Sequence, residues 1–220
     1  MIGCIASVKI HKSPPLDNLA IPRKAVYRLS IYQRCLQRLA DNEVETVSSP
    51  ALAKAAGVKP TQLRKDLAYF GQFGTRGMGY QVAALLAGIR EVLGRTRLQP
   101  VILVGVGNLG AALLHYQGFN KEGFEIVAGF DADPGRLTHG PGVPVLPHLE
   151  LPPFIHRNGV KMAILAVPAS VAQEVANQLV GAGIQAILNF SPTILEVPAE
   201  IMVNNVDLAV ELENLSYFVR

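Results

Sequence analysis

The chain has no tryptophan, only two cysteines, Cys4 and Cys35, and few aromatic residues, 6% of 220. Two cysteines make no disulfide framework, which points to a reducing cytoplasm. No apolar run approaches the roughly 20 residues of a membrane span, so no membrane partner is expected. A basic start, a sustained apolar centre and a small-residue cleavage site do not follow one another at the N-terminus, and no secretion signal is read there. Half the residues are hydrophobic, enough to bury the core of one large or two modest domains.

Net charge is small, +3, but it is unevenly placed. Residues 21–80 carry ten Lys and Arg against four Asp and Glu, whereas residues 81–220 carry eight against twelve. Positive charge concentrated in a short segment of an otherwise acidic chain is the pattern of a polyanion-binding module. Residues 1–21 lack periodicity, contain Ser13-Pro14-Pro15, and read as a tail.

From Pro22, apolar residues recur at Ala25, Leu29, Tyr32, Leu36 and Leu39, one face of a helix running to about Ala40. Ser48-Ser49-Pro50 supplies a cap and a first-turn proline for a short helix that Gly57 ends. A third helix runs from Pro60 to about Tyr69. Two short helices joined by a glycine-containing turn are a helix-turn-helix, whose second helix enters the DNA major groove. Leu63 and Leu67 stack one turn apart toward the core. Thr61, Gln62, Lys65 and Tyr69 then face outward, with Arg64 at the flank and Lys59 just before the helix. Lys65 or Arg64 suits guanine acceptors or phosphates, and Gln62 suits adenine. An ordinary solvated polar face is the competing reading.

Residues 70–80 alternate apolar residues with glycines and read as a tight β-hairpin, a wing, whose tip carries Arg76 toward a minor groove. Residues 22–80 thus form a winged-helix DNA-binding domain. Residues 81–99 form a linker helix carrying Val82, Leu85, Leu86 and Ile89.

Pro100 to Gly110 reads P-V-I-L-V-G-V-G-N-L-G. Four apolar residues form a buried parallel strand, and Gly105, Gly107 and Gly110 make the tight turn, the close approach to a pyrophosphate and the close helix–strand packing. Val106, Asn108 and Leu109 complete the turn. A second apolar run ends at Asp131, where a carboxylate accepts hydrogen bonds from both adenine-ribose hydroxyls and repels a 2′-phosphate, so NAD(H) is the expected cofactor. Surface turn chemistry is the alternative for Asp131, since Asp133-Pro134-Gly135 follows. Short strands alternate with helices through residue 206, predicting a Rossmann doubly wound parallel sheet over 100–204. Two strand ends, Val167-Pro168-Ala169 and Asn189-Phe190-Ser191-Pro192, should line the ligand. The fold class is α/β, a winged helix-turn-helix joined to this sheet.

Residues 205–220 form a last helix with Leu208, Leu212, Leu215 and Val219 on one stripe and Val210, Tyr217 and Phe218 off it. Apolar residues on more than one face predict that a second subunit clasps it; a groove of its own chain is the alternative.

The runs Leu63 to Gly71, Phe73 to Tyr80 and Val104 to Gly110 closely resemble the Rex family of bacterial redox-sensing transcriptional repressors. Asn189 to Pro192 and Val203 to Asp207 are similar to it as well, and the likeness covers residues 22–220. The resemblance implies a homodimer that binds double-stranded operator DNA when NAD⁺ is bound or the site is empty, and releases it when NADH binds. It further implies C-terminal helices exchanged between subunits, with nicotinamides near their interface. Tyr116 would lie near the nicotinamide, and Arg34 with Asp207 would pair between subunits in the DNA-binding state. Leu208 stands where some relatives carry an aromatic ring, and residues 1–21 have no clear counterpart.

A small NAD-dependent oxidoreductase with an accessory basic domain is the rival. Hydride transfer needs a substrate pocket and a proton donor. The chain after Gly110 suffices only to finish the nucleotide fold, and His115, His139, His148 and His156 have no evident catalytic partner. No catalytic residue and no metal are therefore expected. A CoA-binding Rossmann domain is a third option, opposed by Asp131.

Overall fold

A computed structural model describes residues 21–71, 73–74, 78–94, 98–138 and 142–219. Cys4 and the rest of the 1–20 tail, His139 and Arg76 at the wing tip lie outside the described residues. The chain divides into two compact units, Met1–Thr96 and Arg97–Arg220.

The first unit contains α1 (Arg23–Asp41), β1 (Thr46–Val47), α2 (Ser49–Ala55), α3 (Pro60–Ala68), β2 (Tyr80–Gln81) and α4 (Val82–Val92). Pro22 precedes α1 in an extended conformation, and the Ser48 hydroxyl accepts the Ala51 N–H to cap α2. Leu29, Tyr32 and Leu36 of α1 meet Leu52, Leu63, Leu67, Leu85, Leu86 and Ile89 in one core. The helix expected as a linker is therefore also a core element of the first unit. β1 pairs antiparallel with β2. Gly74 and Gly79 lie close together, since a Cβ on Gly74 would stand 2.6 Å from the Gly79 carbonyl oxygen.

The second unit is a six-stranded parallel sheet: β3 (Gln99–Val104), β4 (Phe124–Asp131), β5 (Val145–Pro147), β6 (Met162–Leu165), β7 (Ala186–Asn189) and β8 (Met202–Asn205), in the spatial order β5-β4-β3-β6-β7-β8. Strand order reverses between β3 and β6, the crevice where such sheets hold ligands. α5 (Asn108–Leu114) and α6 (Gly118–Lys121) follow β3, α7 (Leu151–Asn158) follows β5, α8 (Ala169–Gly181) follows β6 and α9 (Leu208–Tyr217) ends the described chain.

Alternation along the strands splits the core in two. Ile102, Val104, Phe130, Ala163 and Leu165 pack with Leu151 and Ile155 of α7 and Ala172, Ala176 and Leu179 of α8. Val101, Leu103, Ile126 and Ile164 pack with Leu113, Leu114 and Phe119. Neither α6 nor α7 is among the elements expected from the sequence. Pro152 and Pro153 look like loop residues, but the first turn of a helix needs no N–H from them. The last helix is also shorter than expected, because β8 takes residues 202–205 and Asp207 caps α9.

Candidate functional site

In the first unit, α3 presents Thr61, Arg64 and Lys65 to solvent, and Lys59 precedes it, also exposed. Tyr69 is half-buried. Gln62 is held rather than free: its amide donates to Asp66 Oδ1 at 2.8 Å. Asp66 is fully buried. It accepts Arg28 Nε at 2.5 Å, Arg28 Nη2 at 2.7 Å and the Tyr32 hydroxyl at 2.7 Å. This cluster ties the candidate recognition helix to α1 through both carboxylate oxygens.

The charges agree with that geometry. Burial alone would raise the Asp66 carboxyl, but the hydrogen bonds from Arg28, Tyr32 and Gln62 outweigh it and hold the group below the usual carboxylate range. The hydrogen bond to Asp66 pushes the Arg28 guanidinium above its ordinary value, and burial followed by the Asp66 bond raises the Tyr32 phenol. Among the described residues no buried side-chain polar atom lacks a partner. Burial also pushes the Cys35 thiol up, against a weaker pull from Arg38, so Cys35 is a poor thiolate.

In the second unit the glycine turn has the form that its sequence requires. Gly105 has φ +93°, and a Cβ there would lie 2.5 Å from the Ala166 carbonyl oxygen and 2.8 Å from Val167 Cγ1. The turn therefore touches the end of β6, as the crevice requires. A Cβ on Gly110 would overlap the Gly105 carbonyl. Gly107 is different: its φ is an ordinary −68°, and a Cβ there would meet only Arg136 Nη1, at 3.2 Å. No side chain caps α5, so first-turn N–H groups remain for an anion.

Asp131 faces that turn. One carboxylate oxygen accepts the Val106 N–H at 2.7 Å, the other accepts the Asp133 N–H at 2.9 Å, and Arg136 Nη1 stands 3.5 Å away. The turn bonds leave lone-pair sites on the carboxylate for further donors, since each oxygen has two. These residues fit a dinucleotide: a cradle that a Cβ would fill, with an acidic group beside it. Arg136 escapes the sequence reading, because a lone arginine five residues past an acidic one carries no motif.

The other strand-end candidates divide. Val167 abuts the turn, and its carbonyl accepts the Ser191 hydroxyl at 2.7 Å. Asn189 is buried and serves as a cross-brace: its amide donates to the Thr193 carbonyl and to Asn205 Oδ1, and its oxygen accepts the Ser191 N–H. Phe190 packs in the apolar layer with Leu113. Pro168, Ala169 and Pro192 are exposed. Tyr116, just past α5, is exposed with its ring edge-on to Phe119 at 5.0 Å. Arg34 lies exposed on α1, and Asp207 accepts the Ala209 and Val210 N–H groups. No helix among the described residues is long and apolar enough to cross a membrane.

Residues 20–68 match a family model described as a putative DNA-binding protein N-terminus, and residues 96–193 match the CoA binding domain model. The redox-sensing transcriptional repressor Rex of Pelotomaculum thermopropionicum is 46% identical over 200 residues, 90% of this chain and 94% of that protein. Among solved structures, RSP in complex with β-NAD⁺ and operator DNA aligns with a TM-score of 0.85 and 37% identity, over 90% of this chain and 92% of that one. RSP in complex with β-NADH aligns at 0.82 and 35%, over 91% and 94%. Identity of this degree across both units, on a sheet whose glycine turn and acidic strand end are intact, places the chain in the Rex family of redox-sensing transcriptional repressors.

Proposed function

We propose that this chain is an NAD(H)-responsive transcriptional repressor, which binds operator DNA as a homodimer and is released when NADH binds. The observation that carries the reading is the union of a basic helix-turn-helix unit and a glycine-turn unit with Asp131 in one chain that belongs to the Rex family. It is not an enzyme: its relatives are named as repressors, and the second unit is used up by the nucleotide fold. A cytoplasmic location fits a repressor of this kind.

In this reading Thr61, Gln62, Arg64, Lys65, Tyr69 and Lys59, with Arg76 from the wing, meet DNA. The turn from Gly105 to Gly110, with Asp131 and Val167, holds the dinucleotide. Asn189 and Ser191 act by fixing the strand ends. Tyr116 stands toward the nicotinamide, and Arg34 pairs with Asp207 of the other subunit when DNA is bound. Dimerisation is supported by α9 and the two residues after it, whose large apolar side chains are 48–84% exposed from Leu208 to Val219, and by Met202, exposed on the edge strand β8. The described residues of one chain do not cover them.

A ligand with equal affinity for two arrangements shifts nothing, so NADH must bind the DNA-incompetent arrangement more tightly. Changing the relation between two subunits changes the spacing of their recognition helices against half-sites one helical turn apart. Operator binding measured at rising NADH/NAD⁺ ratios at constant total nucleotide should fall by at least about tenfold, the scale of an allosteric coupling. Unchanged binding across ratios overturns the reading.

The glycine turn gives a second expected result. Gly107→Ala adds a Cβ that meets only the flexible end of Arg136, at an ordinary φ, so the fold should survive with its melting temperature nearly unchanged. The same methyl stands where the diphosphate must approach, and NADH affinity should fall about tenfold or more, the cost of one lost charge-assisted contact. Calorimetric titration and thermal unfolding separate the two effects.

A further inference from the structure

Asp131 alone would make the adenosine end of the site a simple barrier to a 2′-phosphate. The structure adds a cation. Arg136 closes the one-turn 3₁₀ helix Pro134–Arg136 that directly follows the acidic strand end. Its Nη1 lies 3.5 Å from Asp131, its Nε lies 3.4 Å from Asp133, and the same Nη1 stands 3.2 Å from the position a Gly107 Cβ would take. The guanidinium therefore overlies the glycine that admits the diphosphate while touching the carboxylate that reads the ribose.

The exposures are opposite. The Asp131 side chain is 10% exposed and is pinned by the Val106 and Asp133 N–H groups, whereas the Arg136 side chain is 45% exposed. The carboxylate is fixed, whereas the guanidinium, though paired with Asp131 and Asp133, keeps nearly half its surface in water. A planar guanidinium beside the ribose is the group that accommodates a 2′-phosphate in dinucleotide sites. We propose that Arg136 is a second specificity-determining residue of the adenosine-ribose subsite, which tempers the rejection of a 2′-phosphate by Asp131 so that NADPH remains a weaker but measurable ligand. This rests on the NAD(H) reading above.

The inference is about charge at one hydroxyl, so its signature is a ratio rather than an affinity. NADH and NADPH are titrated separately into the full-length protein and followed by ligand fluorescence, which no tryptophan in the chain complicates. Arg136→Ala should weaken NADPH about tenfold, the loss of one hydrogen bond to a charged group, while NADH changes by less than about threefold. Asp131→Asn removes the repulsion and leaves Arg136 paired with Asp133 alone, so the ratio should move about tenfold in the opposite direction. Arg136 has no place in the buried core, and unchanged thermal unfolding of its variant will show that the fold is intact.

If Arg136→Ala leaves the NADPH/NADH ratio unchanged, by sparing both ligands or by weakening both equally, the assignment is overturned. A wild-type protein that binds neither dinucleotide overturns the cofactor reading itself, and this assignment with it.

Discussion

Asp66→Ala is expected to destabilise the first unit by about 3 kcal/mol, the lower part of the range for breaking a buried ion pair, and to lower its melting temperature by roughly 15 °C. Four hydrogen bonds converge on this carboxylate, from Arg28 twice, Tyr32 and Gln62. The lower part applies because the Arg28 side chain keeps 21% of its surface in water and can recover solvation, whereas the Tyr32 hydroxyl is buried. Asparagine should do little better. All four incoming groups are donors, and an amide offers them one acceptor oxygen and a second donor.

The sign of the pH dependence follows from the direction of the shift. The folded Asp66 carboxyl lies below its ordinary value, so its contribution is present in full above the unfolded value, about 3.9, and is lost as pH falls through the lower folded value. Wild type and Asp66→Ala should therefore differ most near neutrality and converge in acid below about pH 4. A gap that stays constant down to pH 2 would show that the carboxylate charge is not what stabilises the cluster, and a variant that melts like wild type would show that the cluster does not hold α3. Operator binding should fall with stability, since α3 carries Thr61, Arg64 and Lys65 and is tied to α1 by this carboxylate.

The same residue marks where the sequence stops being legible. Periodicity places Leu63 and Leu67 in the core, and both are buried. It gives no reason to bury Asp66, because the donors that pay for its desolvation come from Arg28 and Tyr32, more than thirty positions away. Gln62 shows the same limit: an outward helical position says nothing of a neighbour four residues on that takes its amide. In the second unit, steric rules that act within a few residues make the glycine turn and the end of β4 readable in advance. Arg136 is not readable, because its importance comes from the turn that folds it back over Gly107. Asn189 is placed at a strand end correctly, but its partners, Thr193 and Asn205, make it a brace. Proline-rich α7 is hidden because Pro152 and Pro153 mean the same thing in a loop and in a first turn.

The second large effect belongs to α9. A ten-residue helix is marginal by itself in water, and this one exposes Leu212 and Leu215 at 68% and 63% with no core residue of its own. Its stability and its apolar composition both call for a surface that the described residues of one chain do not supply, and in a closed symmetric dimer each such helix is buried once per subunit. Placing glutamates at Leu212 and Leu215 removes four buried leucines from such a dimer. At about 1.5 kcal/mol each this is about 6 kcal/mol, or roughly four powers of ten in the dimerisation constant. Sedimentation at micromolar concentration should show the variant as a monomer and the wild type as a dimer. Leu149→Glu is the control: this leucine is 77% exposed but follows β5, the edge of the sheet opposite β8. It should leave the dimer intact. The monomeric variant should still bind NADH through the glycine turn of its own chain, yet lose tight operator binding, because one recognition helix can fill only one half-site. A Leu212→Glu, Leu215→Glu protein that stays dimeric would place the subunit contact elsewhere. A wild type that runs as a monomer would remove the paired heads on which redox control of DNA binding depends.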